Sequence, residues 1–356
     1  MRKKSKWMSL LIAAAMLISM VMAGCGSTTT APQNAQGKDG LPDLKGKKLV
    51  VYVTFHESEG KRLLELFKQK TGCDYSFIRL PAGEAVTRVI AEKGAAKADI
   101  VLGGPADAHE TLKDAGLLEK YDSKTAKDIP SYYKSSEGYW NGLYVGPLSI
   151  IVNKDRFEKE FKSKGIAVPK TFEDLLNPAF KGEIIMPDPA TSGTAYTLLA
   201  SLSQTIGQEK AIEYMKNLRQ NVAQFTSSGF TPAQKVGTGE YLIGINFIHD
   251  QLLVKKSGFN VESNVPNNAG WEIGAVSIVK GGPNTDAGKA FMDFVLGKEA
   301  GQLHSDLTMR ISTRSDVDVP YGAKKVEEMP INKDYSFDKA NKEKKTLLEK
   351  WKAVIN

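Results

Sequence analysis

Cysteine is almost missing from this 356-residue chain, which has only Cys25 and Cys73. Two thiols cannot build a disulfide framework, and they leave no paired-cysteine zinc site. Histidine is nearly as scarce: four residues are dispersed without the paired spacing of a metal motif, so neither a metal nor a cofactor is expected. Beyond residue 25 no apolar run reaches the roughly 20 residues that a membrane-spanning helix requires. Catalytic signatures are missing too, with no G-x-S-x-G elbow, no P-loop and no G-x-G-x-x-G turn. Basic patches are lacking as well. The chain carries 48 Lys+Arg against 41 Asp+Glu, for a formal net charge of +7. Four of those basic residues (Arg2, Lys3, Lys4, Lys6) precede Cys25, and without them the balance is 44 against 41, or +3. Nothing in that distribution calls for nucleic acid.

What is present begins with a leader. The four basic residues run into an apolar stretch, Trp7 to Val21, that closes on Met22-Ala23-Gly24-Cys25. The pattern predicts a cleaved signal peptide over 1–24 and a lipid on Cys25. Met22 departs from the usual leucine, and plain cleavage after Ala23 or Gly24 is the alternative. With Cys25 acylated, Cys73 has no partner and reads as a small core residue. Residues 25–43 are rich in Ser, Thr, Gly and Pro, as a tether between lipid and globule would be. The folded part is expected from about Leu44, on the outer face of the cell membrane and held there by the lipid alone.

About 330 residues remain after the leader, enough for two lobes. Leu49 to Phe55 reads as a buried strand and Glu59 to Lys70 as a helix stopped by Thr71-Gly72. Tyr75 to Leu80, the helix Ala85 to Lys93, Ala98 to Leu102 and the helix Ala106 to Ala115 continue the alternation, which implies an α/β fold with a mainly parallel sheet. A second stretch repeats the theme, with helices over Thr171 to Leu176, Thr194 to Ile206 and Glu209 to Asn221, and strands over Glu183 to Met186 and Leu242 to Phe247. Leu143 to Val152 and Trp271 to Val279 are both extended and Gly-containing, and read as paired crossover strands forming a hinge. The division is therefore 44–147 for a first lobe, 148–271 for a second, and 272–356 for a return that completes the first. Within that return, Thr285 to Leu296 and Lys298 to Leu307 read as helices, and Lys339 to Lys352 as an amphipathic terminal helix.

Ligands on such sheets bind beyond the carboxyl ends of the strands. That rule selects Thr54, His56 and Glu57 after the first strand, Gly104 after the third, and Asn246, His249 and Asp250 at the end of Leu242 to Phe247. Two further loops place hydroxyls and glycine at helix starts: Ser192, Gly193 and Thr194 in one, Ser227 and Ser228 in the other. Free N–H groups at a helix start, with hydroxyl donors beside them, suit a phosphate or carboxylate. Ordinary capping by Thr191 or Ser192 is the competing account of the first loop, and Thr231 as cap with Pro232 at the first position describes the helix after the second. Trp271 and Glu272 sit at the expected hinge. For Trp271, as for Tyr132-Tyr133 and Tyr139-Trp140, plain packing is the alternative.

Taken together, several stretches resemble the extracytoplasmic solute-binding proteins of ABC importers, in the branch that holds ferric-ion, phosphonate and sugar-phosphate binders. They are Phe67-Lys68-Gln69-Lys70-Thr71-Gly72, Ala98-Asp99-Ile100-Val101, Ala115-Gly116-Leu117-Leu118, Gly138-Tyr139-Trp140, Asp174-Leu175-Leu176-Asn177-Pro178-Ala179-Phe180-Lys181-Gly182 and Asp188-Pro189-Ala190-Thr191-Ser192-Gly193-Thr194. The resemblance implies a two-lobe, type II periplasmic-binding-protein fold that closes on its solute at a two-strand hinge. It also implies a binding rather than a catalytic role, a monomeric state, and delivery to a membrane permease driven by a separate ATPase. Iron members of the branch hold Fe(III) with adjacent tyrosines, whose places are taken here by Phe247 and Ile248; neither offers anionic oxygen. The expected solute is a small organic phosphate or phosphonate, such as a sugar phosphate or aminoethylphosphonate. The two hydroxyl loops would hold the anion, and Asp250, Glu57 and Glu272 would address hydroxyls or an ammonium. A ferric-iron receptor and a secreted hydrolase using Ser192 are the other readings.

Overall fold

The computed structural model describes residues 40–355; the expected leader, Cys25 and residues 25–39 of the expected tether lie outside the described residues. Strand β1 (Lys48–Val53) is apolar on both faces, with Leu49, Val51, Tyr52 and Val53 buried, which is the signature of a strand covered by helices on each side. It runs parallel to β2 (Asp74–Arg79) and β3 (Ile100–Pro105). Helices α1 (Glu57–Thr71), α2 (Ala82–Ala91) and α3 (Ala106–Asp114) follow these three strands. The stop after α1 is local chemistry: Gly72 takes φ 74°, and its N–H returns to the carbonyl of Lys68.

Strand β5 (Trp140–Asn153) is the element that both lobes share. Its first part pairs antiparallel with β10 (Trp271–Val279), from Ser277 opposite Trp140 to Trp271 opposite Pro147. Its second part pairs with β8 (Ile243–Phe247) and β9 (Val261–Asn264), and β8 continues to β6 (Ile184–Pro187) and β7 (Val222–Thr226). The strand order is β2-β1-β3-β10-β5-β8-β6-β7, with short β4 (Leu118–Glu119) on β10 and β11 (Ile311–Ser312) on β5. Glycines in the shared strands make room for site side chains: a Cβ on Gly274 would lie 2.0 Å from the Tyr144 ring, and one on Gly146 would lie 2.6 Å from His249.

The second lobe carries α4 (Lys154–Glu160), α5 (Gly193–Ile206), α6 (Gln208–Arg219), α7 (Thr231–Gly237) and α8 (Ile248–Lys256). Three readings of this region change. Thr171 to Leu176 forms only a 3-10 turn over Glu173–Leu176, because Asp174 binds the N–H groups of Lys170 and Thr171 and closes a tight loop. Thr231 is the first helical residue of α7 and not its cap; Phe230 holds the cap position, its ring against that of His56 at 3.9 Å between centroids. His249 and Asp250 lie in the first turn of α8, an unforeseen helix.

Helices α9 (Thr285–Val295) and α10 (Lys298–Thr308) return to the first lobe, where Phe291 meets Phe67 at 5.2 Å and Lys70 pairs with Glu299 at 2.8 Å. The last helix, α11 (Phe337–Ile355), does not complete the first lobe alone. Asn341 bonds to Thr111 and Asp114 and Lys344 to Asp107, all on α3; Ala340 accepts from Tyr196 of α5, and Trp351 donates to Asp188. Cys73 is buried and free, its thiol pushed up to about 11 by burial. Among the described residues no helix is long and apolar enough to cross a membrane.

Candidate functional site

The carboxyl ends of β1, β2 and β3 face the helix starts of the second lobe across a cavity of about 690 Å³. One wall is built by the β6–α5 and β7–α7 loops. Asp188 folds the first of them: its carbonyl accepts from the N–H groups of Thr191 and Ser192, and its carboxylate from Ala190. Its own N–H bonds to Thr226, which ties this loop to the second. Ser192 is the N-cap of α5, yet its side chain makes no capping bond, and Thr191 Oγ1 is buried without a protein partner. Capping therefore does not consume these hydroxyls. A Cβ on Gly193 would stand 2.7 Å from Pro105 of the first lobe, and one on Gly229 would stand 2.2 Å from Thr194 Oγ1, so both glycines are demanded by close approach. A helix start with unspent N–H and hydroxyl donors offers an anion a ready seat.

Opposite this wall stands Arg79, the last residue of β2, which sequence reasoning did not single out. Its Nε donates to the Phe55 carbonyl at 3.2 Å and its Nη2 to Ser228 Oγ at 3.1 Å. The only sequence signal available was its place at the carboxyl end of a parallel strand.

The floor is a buried polar network. Arg310 donates through Nε to the Glu59 carboxylate at 3.1 and 3.2 Å and through Nη1 to His249 Nε2 at 2.7 Å, and its guanidinium lies 4.1 Å from the centre of the Tyr144 ring. His304 also bonds to Glu59. Burial raises the Glu59 carboxyl, but Arg310 and His304 outweigh it and hold it down to about 2. Burial likewise raises Asp250, but His249, His56 and Arg310 bring it to about 2. Burial first, then Arg310, depresses His249 to about 3. Glu272, 3.6 Å from His249, is pushed well above the usual carboxylate range by burial, with Asp250 among the like charges adding to it. The floor thus sets an acceptor carboxylate on Asp250 beside an imidazole that is neutral at neutral pH and a Glu272 carboxyl whose hold on its proton burial strengthens. Asp250 is linked across the cleft to His56 Nε2 at 3.3 Å. Such a surface offers both donors and acceptors.

A profile of bacterial extracellular solute-binding proteins matches residues 95–342. The chain belongs to that family. A protein of Haemophilus influenzae, described as uncharacterized, is 34% identical over 343 residues, covering 94% of this chain and 95% of that one. A putative 2-aminoethylphosphonate-binding periplasmic protein of Salmonella typhimurium is 26% identical, over 71% and 73% of the two chains. Among solved structures, the periplasmic binding protein AfuA of Actinobacillus pleuropneumoniae, with exogenous fructose-6-phosphate bound, superimposes with a TM-score of 0.83 at 34% identity, covering 87% of this chain and 99% of that one. The fold is accordingly the two-lobe, type II periplasmic-binding-protein fold, and the chain is a solute-binding protein of an ABC importer rather than an enzyme.

In this solute-binding protein the cavity gathers Thr54, His56, Glu57, Gly104, Ser192, Gly193, Thr194, Ser227, Ser228, His249, Asp250 and Glu272 on its lining. Two expected residues lie elsewhere. Trp271 points away from the cleft, its indole N–H donating to the Asn332 carbonyl at 3.0 Å and its ring edge-on to Phe337. Asn246 is fully buried behind Asp250, accepting from Gln251 at 2.9 Å. Strand parity is the reason: alternate residues of β8 and β10 face opposite sides, so Phe247 and Glu272 take the cleft face and their neighbours Asn246 and Trp271 the other. Arg79, Arg310 and Tyr144 line the cavity beyond expectation. Phe247 lines it also and brings no oxygen, and among the described residues no three or more His, Cys, Asp or Glu are grouped to hold a metal ion.

Proposed function

We propose that the chain captures a small organic phosphate with a hydroxylated body, a sugar phosphate in the first instance, and delivers it to the permease and ATPase of an ABC importer. The observation that carries this reading is the start of α5: Ser192 and Thr194 are 4% and 9% exposed, and the Ser192 side chain makes no capping bond although it sits at the N-cap. Phosphate oxygens would accept from these hydroxyls, from Ser227 and Ser228 and from the helix N–H groups. Asp250, Glu57 and Glu272 would meet the hydroxyls of the body, with Thr54, His56, Gly104 and His249 shaping the space between. The fructose-6-phosphate in the AfuA structure supports the sugar phosphate, and the Salmonella relative keeps a phosphonate as the competing solute. We place the protein outside the cell as a monomer, with residues 1–24 removed and Cys25 lipidated; replacing Cys25 with Ser should abolish incorporation of labelled palmitate and release the protein from membranes.

The decisive experiment is a thermal-shift and calorimetric screen of sugar phosphates, phosphonates, inorganic phosphate and chelated Fe(III). A ligand at 100 times its Kd stabilises the native state by about 2.7 kcal/mol, a shift of several degrees. Ser192→Ala with Thr194→Ala should then cost about 1 to 3 kcal/mol of binding, as lost donors to an anion do. A shift with iron alone, or an unchanged affinity in the double variant, would sink the reading.

A further inference from the structure

Among the described residues Arg79 is a cleft cation without an ion-pair partner, its charge met only by more distant carboxylates. Arg310 is tied to Glu59, and Lys61 stands at the exposed rim near Glu65. Around Arg79, among the described residues, no carboxylate lies within salt-bridge distance. Its two hydrogen bonds go to neutral oxygens, the Phe55 carbonyl and the Ser228 hydroxyl. The guanidinium is half-buried, and taking a cation partly out of water without an anion is costly. Burial accordingly lowers its proton affinity, and Glu84, Asp250 and Glu57 offset this only from a distance.

The two bonds also span the cleft. Phe55 belongs to the first lobe and holds the guanidinium plane through Nε, while Ser228 belongs to the second and lies 149 residues beyond Arg79 along the chain. Nη1 has no protein partner among the described hydrogen bonds. The remaining N–H groups face a cavity whose far wall is the uncapped start of α5. A planar fork with free donors on one lobe, facing hydroxyls and helix N–H groups on the other, fits tetrahedral oxyanion oxygens from both sides.

We propose that Arg79 is the specificity-determining residue for the anionic group, and that one doubly charged head, shared between Arg79 and the hydroxyl loops, is what draws the lobes together. This rests on the reading of the solute as an organic phosphate. The second lobe alone supplies only neutral donors, which bind a neutral or singly charged group with little preference. Arg79 adds the charge, and adds it from the opposite lobe, so charge selection and closure become one event. Ligand contacts made by both lobes favour the closed state by their difference in affinity between states.

The test compares the leaderless chain with its Arg79→Gln and Arg79→Lys variants by calorimetry and small-angle scattering, using fructose 6-phosphate, fructose and inorganic phosphate as probes. The unliganded melting temperatures report folding. The wild type is expected to bind fructose 6-phosphate and contract; Arg79→Gln should lose at least tenfold in affinity, contract less at saturation, and no longer prefer fructose 6-phosphate strongly over fructose. Arg79→Lys, which keeps the charge without the fork, should fall between. If the wild type binds fructose 6-phosphate and Arg79→Gln binds it equally well with the same contraction, this inference fails while the functional reading stands. If the wild type ignores every phosphorylated probe, both fall.

Discussion

Gly193 shows how much one hydrogen atom decides. Its φ is ordinary, so alanine suits its backbone, but a methyl group there would meet Pro105 at 2.7 Å and Ala82 at 3.3 Å across the cleft. Gly193→Ala should therefore keep the unliganded melting temperature and weaken solute binding by obstructing the approach of the lobes; equal affinity in calorimetry would contradict the close contact. Burial matters differently at His109, which donates from Nε2 to the Gly103 carbonyl and accepts from Ser277, and which burial depresses from 6.5 to about 4. The folded protein keeps it neutral while the unfolded chain takes up a proton below about 6.5, so its contribution is complete above that pH and lost as pH falls toward 4. His249 adds the same sign, and the raised Glu272 opposes it. Urea midpoints of His109→Gln should thus fall less steeply than those of the wild type between pH 6.5 and 4. Parallel profiles would show that His109 is not held neutral.

Among the elements, α11 illustrates what an amphipathic pattern does and does not say. The apolar spacing of Leu347, Leu348, Trp351 and Val354 marks a helix with one buried face, and Leu347 and Trp351 are completely buried. The pattern is silent about what covers that face, which turns out to be α5, α6 and α3 together. Trp351 also donates to Asp188, the residue that folds the first hydroxyl loop. Trp351→Phe keeps most of the ring and removes the donor, and should lower stability by about 1 kcal/mol in urea unfolding, Asp188 being only half-buried. An unchanged midpoint would mean that the bond contributes nothing net. Strands β7 and β9 escaped notice for a related reason: Val222-Ala223-Gln224-Phe225-Thr226 and Val261-Glu262-Ser263-Asn264 lie at or near sheet margins, where partial exposure erases the alternation that marks a strand.

At the scale of the whole molecule, the sheet order explains why so many loops meet. The parallel strands on either side of β5 direct their carboxyl ends into one crevice, so residues singled out only for standing after strands converge there. Local pattern was enough for the alternation of strands and helices, for the stop at Gly72 and for the hydroxyl-rich helix starts, because each depends on neighbours within a few residues; that Phe247 stands where iron members carry an oxygen ligand came from the family resemblance. The leader motif lies outside the described residues. The tertiary structure alone decided that Arg79 reaches Ser228, that Arg310 joins Glu59 to His249 across 251 and 61 residues, and that Trp271 and Asn246 turn away from the cleft. Those outcomes depend on which distant elements are brought side by side and on which face a strand residue presents. Sequence periodicity records neither, since burial and charge pairing between remote segments exist only after the chain has folded.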